Sequence, residues 1–145
     1  MGKKLILVRV LTILGNILIW LPILAPIFFS TIAFVATRQF LFDYLMPAEL
    51  FPLFLIGAGF LFWVAHILHM YQKFILMCFI IAVSSLILGQ VLAVISGLAS
   101  GDIPPADWPW MLVILSLIVY ITALIAIGIK GLLLLKNLLL ESLKK

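Results

Sequence analysis

Residues 50–71 read LFPLFLIGAGFLFWVAHILHMY, a run without any Asp, Glu, Lys or Arg. A helix of about 20 apolar residues is long enough to cross the hydrocarbon core of a bilayer. Comparable apolar runs lie on both sides of it, at about residues 5–36, 74–100 and 108–130. The chain is therefore predicted to be an all-α integral membrane protein. We expect a single domain, residues 1–145, with four transmembrane helices in an up-down-up-down bundle.

The composition supports a lipid environment for the whole chain. Hydrophobic residues make up 67% of it and charged residues only 10%, and the mean hydropathy is +1.42. A soluble domain is nearer half apolar and a quarter charged. The net charge of +4 gives no reason to expect nucleic-acid binding, because the basic residues stand at the ends of the apolar runs, where membrane orientation accounts for them.

The first run is longer than one membrane crossing requires. As a continuous helix, residues 5–36 would extend about 48 Å, against about 30 Å for the hydrocarbon core. Pro22 and Pro26 lie within the run, and each removes a backbone hydrogen bond. We expect a tilted helix kinked at these prolines; the alternative is a helix that ends near Pro22, followed by an interfacial segment. Residues 37–49 could be interfacial or re-entrant. Cleavage as a signal peptide is not expected, because the apolar part of such a peptide spans only about 7–15 residues.

The charged residues predict the orientation of the four spans. Eight basic residues fall on one side against Glu141 alone, namely Lys3, Lys4, Arg9, Lys73, Lys130, Lys136, Lys144 and Lys145. The other side carries one basic and four acidic residues, Arg38, Asp43, Glu49, Asp102 and Asp107. Since Lys and Arg accumulate on the cytoplasmic side of a membrane protein, both termini are predicted to be cytoplasmic. The localisation that follows is a plasma or inner membrane.

Few polar side chains lie inside the spans, and each needs a partner there. Thr12, Asn16 and Trp20 recur every fourth residue, so they share one helix face. The candidate intramembrane polar contacts are Asn16, His66, His69 and Gln90. Interhelical hydrogen bonds and interfacial anchoring are the simplest roles for them; a polar lining from Asn16, His66 and Gln90 would require that their helices meet.

A second pattern predicts close helix packing in the third span. Small residues recur there every fourth position: Ser85, Gly89, Ala93, Gly97 and Gly101. A stripe of small side chains lets another helix approach closely, and Gly97 with Gly101 forms a GxxxG pair. The partner helix could belong to this chain or to another.

After the fourth span, residues 131–145 form a leucine-rich, basic tail. It is predicted to be a helical extension that continues the span, lies on the cytoplasmic leaflet or docks a partner.

Neither a cofactor nor a metal site is predicted from the sequence. Cys78 is the only cysteine. His66 and His69 are three residues apart on one helix, so they are poorly placed to hold one haem from both faces, and no Cys, Asp or Glu lies nearby for a zinc site. Arg38, Asp43 and Glu49 form a candidate outer-face site, in which the two carboxylates could act in acid–base chemistry or bind a cation.

The resulting functional hypothesis is a non-enzymatic subunit or accessory component of a membrane assembly, without catalytic residues. Its expected partners are membrane lipids and either another membrane protein or a second copy of the chain. The first alternative is a small transporter or a lipid- or small-molecule-binding protein that uses Asn16, His66 and Gln90. A redox or haem subunit is the second, and an enzyme acting on lipid through Asp43 and Glu49 is more distant still.

Overall fold

Four helices make up the computed structural model, which describes residues 2–37, 50–98 and 108–143, apart from the side chains at 2–5, 26, 30, 33, 34, 36, 37 and 141–143. The helices are α1 (Gly2–Thr37), α2 (Phe51–Leu68), α3 (Gln72–Ile95) and α4 (Trp108–Leu143). No strand occurs in these ranges. Each helix is long and apolar enough to cross a membrane, over Ile6–Phe29, Phe51–Leu68, Gln72–Ile95 and Trp108–Leu140. The prediction of an all-helical chain with four such helices is confirmed.

The course of α1 and the end of α3 bear on two predictions made from the sequence. Helix α1 is continuous across Pro22 and Pro26, so the alternative in which it ends near Pro22 is wrong. Prolines are tolerated inside membrane helices because the freed backbone groups find other partners. Helix α3 ends at Ile95 rather than near residue 100, because Gly97 adopts a left-handed φ of 74° that a helix cannot continue through.

Helices α1 and α2 cross where two glycines meet. A methyl group added at Gly57 would lie 2.8 Å from Leu18 Cβ and 3.1 Å from the carbonyl oxygen of Gly15. One added at Gly15 would lie 3.0 Å from Leu61 and 3.1 Å from the carbonyl oxygen of Gly57. The contact is reciprocal, so both backbones approach closely only because neither position carries a side chain.

Helix α4 packs against α1 through another pair of glycines. A methyl group at Gly131 would lie 2.5 Å from Asn16 Oδ1, and one at Gly128 would lie 3.2 Å from Trp20 Cε2. The predicted face of Thr12, Asn16 and Trp20 therefore meets the glycine side of α4. In the same region Thr12 is fully buried.

Residues 131–143, which follow the predicted fourth span, continue α4 without a break. Leu134 is fully buried in the main core of the bundle, and Leu138 is buried against Val8 of α1 and Val64 of α2. The tail therefore continues the fourth helix, which is the first of the three roles predicted for it. The rest of the main core includes Ile19, Phe54, Leu61, Ile75, Tyr120, Leu124 and Ile127.

The small-residue stripe of α3 faces α4 of the same chain. Ser85, Gly89 and Ala93 are all buried, and a methyl group at Gly89 would clash with Ser116 Oγ of α4. Gly97 lies beyond the end of the helix. Gly101 is outside the described residues.

Candidate functional site

Asn16 lies in the contact between α1 and α4, almost completely buried. Its Nδ2 donates a hydrogen bond to the carbonyl oxygen of Thr12 at 2.9 Å. Its Oδ1 faces Gly131 and has no hydrogen-bond partner among the described residues. Sequence reasoning predicted an interhelical bond, but the hydrogen bond that forms lies within α1.

His66 and His69 lie where α2 ends, and both are exposed. His66 Nδ1 and Gln72 Oε1 are 3.1 Å apart, which joins the last turn of α2 to the first turn of α3. The His66 ring stacks on Phe62 with a centroid separation of 6.4 Å, and the two histidine rings are 6.0 Å apart. The structure thus brings the two histidines together with a glutamine that the sequence analysis did not consider.

The turn between α2 and α3 has an unusual backbone. His69 and Tyr71 both have left-handed φ angles, 53° and 58°. The amide of Met70 donates to the carbonyl oxygen of Ala65, and the amide of His69 donates to that of His66. These two bonds form a Schellman motif, in which a glycine usually takes the left-handed position. Here His69 takes it.

The same turn is covered by a lysine from α4. Lys130 Nζ lies 4.6 Å from the ring centre of Tyr71 and 5.0 Å from that of Phe74. An ammonium group at this distance from an aromatic face is attracted by the ring quadrupole. In the sequence, Lys130 contributes only to the predicted membrane orientation, because nothing there indicates which aromatic rings lie near it.

Gln90 lies at the other end of α3, beside two concave surfaces. One is a cavity of about 10 Å³ between α3 and α4, next to Gly89 and Ser116. The other is an open, apolar groove of about 330 Å³ bordered by Gln90, Val91, Val94 and Ile95. A cavity of about 10 Å³ holds at most one water molecule, so only the groove has room for a larger ligand.

The three proposed lining residues do not come together. Gln72, the partner of His66, and Gln90 are 18 residues apart on α3, which is about 27 Å along a helix. Asn16 contacts Gly131, whereas Gln90 borders the cavity at Ser116, 15 residues away on α4, about 22 Å along it. No single lining can include Asn16, His66 and Gln90.

The candidate outer-face site lies outside the described residues. Arg38, Asp43 and Glu49 all fall in residues 38–49, so their placement remains a prediction. Across the described ranges, no three His, Cys, Asp or Glu side chains form a group that could enclose a metal ion, and Cys78 is buried.

Sequence reasoning missed two buried polar groups. Arg9 donates from Nη2 to the carbonyl oxygen of Leu138 at 3.5 Å, and its Nε is buried. Tyr120 is fully buried with its ring edge against Phe54, 5.8 Å between centroids. Neither Arg9 Nε nor Tyr120 OH has a hydrogen-bond partner in the described part of the chain. The charge of Arg9 and the apolar surroundings of Tyr120 were the available signals, but they do not indicate which helices would contact them.

The arrangement as a whole offers buried helix contacts through glycine, a histidine pair at one turn and an apolar groove at the opposite end of α3. These features are separate, so each has to be judged by its own chemistry. Comparison of the chain with protein-family models, with curated proteins and with solved structures finds no match.

Proposed function

We propose that this protein is a non-enzymatic subunit or accessory component of a membrane assembly. The observation that carries the proposal is the outer part of α1. Every described side chain from Ile27 to Val35 is exposed, and nearly all of them are apolar. The inner part of the same helix, in contrast, buries Val8, Thr12 and Ile19 against the rest of the bundle.

The length of α1 strengthens this argument. Its 36 residues extend about 54 Å, well beyond the core of a bilayer. Phe28 is 63% and Val35 is 73% exposed, and the rings of Phe28 and Phe29 contact each other edge to face. Helices in lipid associate mainly through van der Waals packing and interhelical hydrogen bonds. A neighbouring helix packed on this segment would supply contacts that the chain's own helices do not make with these side chains.

Site-specific photo-crosslinking in the native membrane tests this proposal. A photoreactive residue at Phe28 is expected to give a discrete protein adduct. Trp63 of α2 is the matched control, because it is equally exposed, at 65%, on a turn that packs into the bundle through Val64 and Ala65. Adducts at Phe28 that are no more abundant than those at Trp63 would count against the proposal.

For the topology, we propose an up-down-up-down bundle in a plasma or inner membrane, with both termini cytoplasmic and α1 bent at Pro22 and Pro26. The charge distribution supports the orientation. The contacts between α1 and α4 support an antiparallel arrangement of these two helices, because Asn16 lies beside Gly131 and Trp20 lies beside Gly128. Residue numbers therefore rise along α1 as they fall along α4.

A second candidate is a protein that binds a lipid or another small apolar molecule. The observation in its favour is the open groove of about 330 Å³ along this part of α3, since ligand sites are lined mainly by apolar side chains. Asn16 and His66 have no part in this version. Replacing Val94, which borders the groove, with Trp should reduce binding of a fluorescent fatty acid in detergent; unchanged binding would argue against the groove.

A further inference from the structure

The histidine pair at the end of α2 has the spacing of two ligands on one metal ion. Zinc lies about 2.0–2.1 Å from a coordinating histidine nitrogen, so two rings that share an ion have centres no more than about 6 Å apart. The rings of His66 and His69 are 6.0 Å apart. Both side chains are exposed and lie within two residues of Leu68, where the apolar span of α2 ends. A shift of less than about 1 Å would close the angle at the ion towards tetrahedral.

Gln72 orients the first of these rings. Its Oε1 accepts a hydrogen bond from His66 Nδ1 at 3.1 Å, which places the ring proton on Nδ1. The lone pair of His66 is then on Nε2. Histidines that bind metals usually donate their second ring nitrogen to such an acceptor, which sets both the tautomer and the ring direction.

The backbone holds the second ring in place. His69 occupies the left-handed position of the Schellman motif with a φ of 53°, where glycine would be less strained. The hydrogen bonds of His69 and Met70 to the last turn of α2 set the direction of the His69 Cα–Cβ bond. Left-handed backbone at a non-glycine residue is costly, and such residues are frequent at functional sites.

We propose that His66 and His69 bind one divalent transition-metal ion of the copper, nickel and zinc class, with water molecules completing its coordination. Neutral imidazole suits these metals. The absence of a nearby Cys, Asp or Glu in the sequence argues against a zinc site with four protein ligands, but a site with two protein ligands does not need them. This inference is independent of the proposed function, since it concerns the turn between α2 and α3 and not the outer part of α1.

Equilibrium dialysis of the full chain against Zn²⁺ tests the site, with any polyhistidine tag removed and the zinc quantified by mass spectrometry. The parent protein is expected to bind one zinc ion per chain and no Mg²⁺. His66→Gln and His69→Gly should each abolish binding. Gln72→Leu keeps both ligands but removes the acceptor, so it should weaken binding by about 10-fold or more.

Two variants separate metal binding from folding. His69→Gly supplies the residue that the left-handed backbone favours, so it should be at least as stable to heat as the parent while it loses zinc. Gln90→Leu removes the same kind of side chain at the other end of α3 and should bind zinc like the parent. Zinc binding by His66→Gln or His69→Gly at the parent's affinity would overturn the proposal, as would a parent protein that binds no more Zn²⁺ than Mg²⁺.

Discussion

Gly131 of α4 faces both α1 and α2. A methyl group there would meet Asn16 Oδ1 at 2.5 Å and Leu61 Cδ1 at 2.8 Å. Real side chains do not make contacts this short, so with any larger residue at this position Asn16 and Leu61 must move. The packing of Asn16, a buried polar residue, thus depends on a position without a side chain on the facing helix.

Gly131→Ala is therefore expected to lower the free energy of unfolding by about 1–3 kcal/mol, the usual cost of overpacking. Gly59→Ala is the matched control, because a methyl group at Gly59 meets no atom within 4 Å. The control should be as stable as the parent or more stable by up to about 1 kcal/mol, because Ala is the better helix former. Thermal or denaturant unfolding in mild detergent measures both, and equal effects of the two substitutions would contradict the packing at Gly131.

Sequence reasoning predicted the face of Asn16 but not its surroundings. The spacing of Thr12, Asn16 and Trp20 was sufficient to place them together. Which helix they meet depends on shape complementarity between segments that are distant in the chain, and one sequence does not encode this as a local pattern. Gly15, Gly57 and Gly131 were missed for the same reason, because an isolated glycine has no period to recognise.

Helix α4 includes most of the tail that the sequence predicts as a helical extension. It continues through residues 131–143, and Leu134 and Leu138 are almost completely buried. The leucine-rich composition of the tail predicted a helix. The composition did not predict that Leu138 is buried, because this depends on its contacts with Val8 of α1 and Val64 of α2.

Leu138→Ala should consequently destabilise the protein by about 2–5 kcal/mol, because it leaves a cavity between three helices. Leu140→Ala makes the same chemical change at a side chain that is 47% exposed, and we expect a much smaller effect. Unfolding in detergent again supplies the comparison. A tail that detaches from the bundle would make the two substitutions equivalent.

The turn between α2 and α3 depends on α4 as well. Lys130 contacts the faces of Tyr71 and Phe74, an attraction of about 0.5–2 kcal/mol. In Lys130→Leu, amide hydrogen exchange at residues 69–72 should accelerate, whereas Lys136→Leu, the same change at an exposed lysine, should leave it unchanged. Equal exchange in both variants would show that the cation–aromatic contact does not hold the turn.

For the whole molecule, the composition predicted the number and type of the helices, but not their bounds or their contacts. Four apolar runs predicted four helices, and four helices of sufficient length and hydropathy are found in the described ranges. The boundaries were less accurate, because α3 ends at Ile95, two residues before a left-handed glycine, and not near residue 100. The proposed polar lining failed at this scale, since Asn16, His66 and Gln90 lie at different places in the bundle.

Cysteine accessibility is the most direct test of the central claim, a four-span protein with both ends in the cytoplasm. Cys78 is the only cysteine, so Cys78→Ala provides a background in which Lys3→Cys, Asp102→Cys and Lys144→Cys can be introduced one at a time. A membrane-impermeant maleimide should label Asp102→Cys in intact cells, and the two terminal variants only after permeabilisation. Labelling of either terminal variant in intact cells, or protection of Asp102→Cys there, would contradict the account.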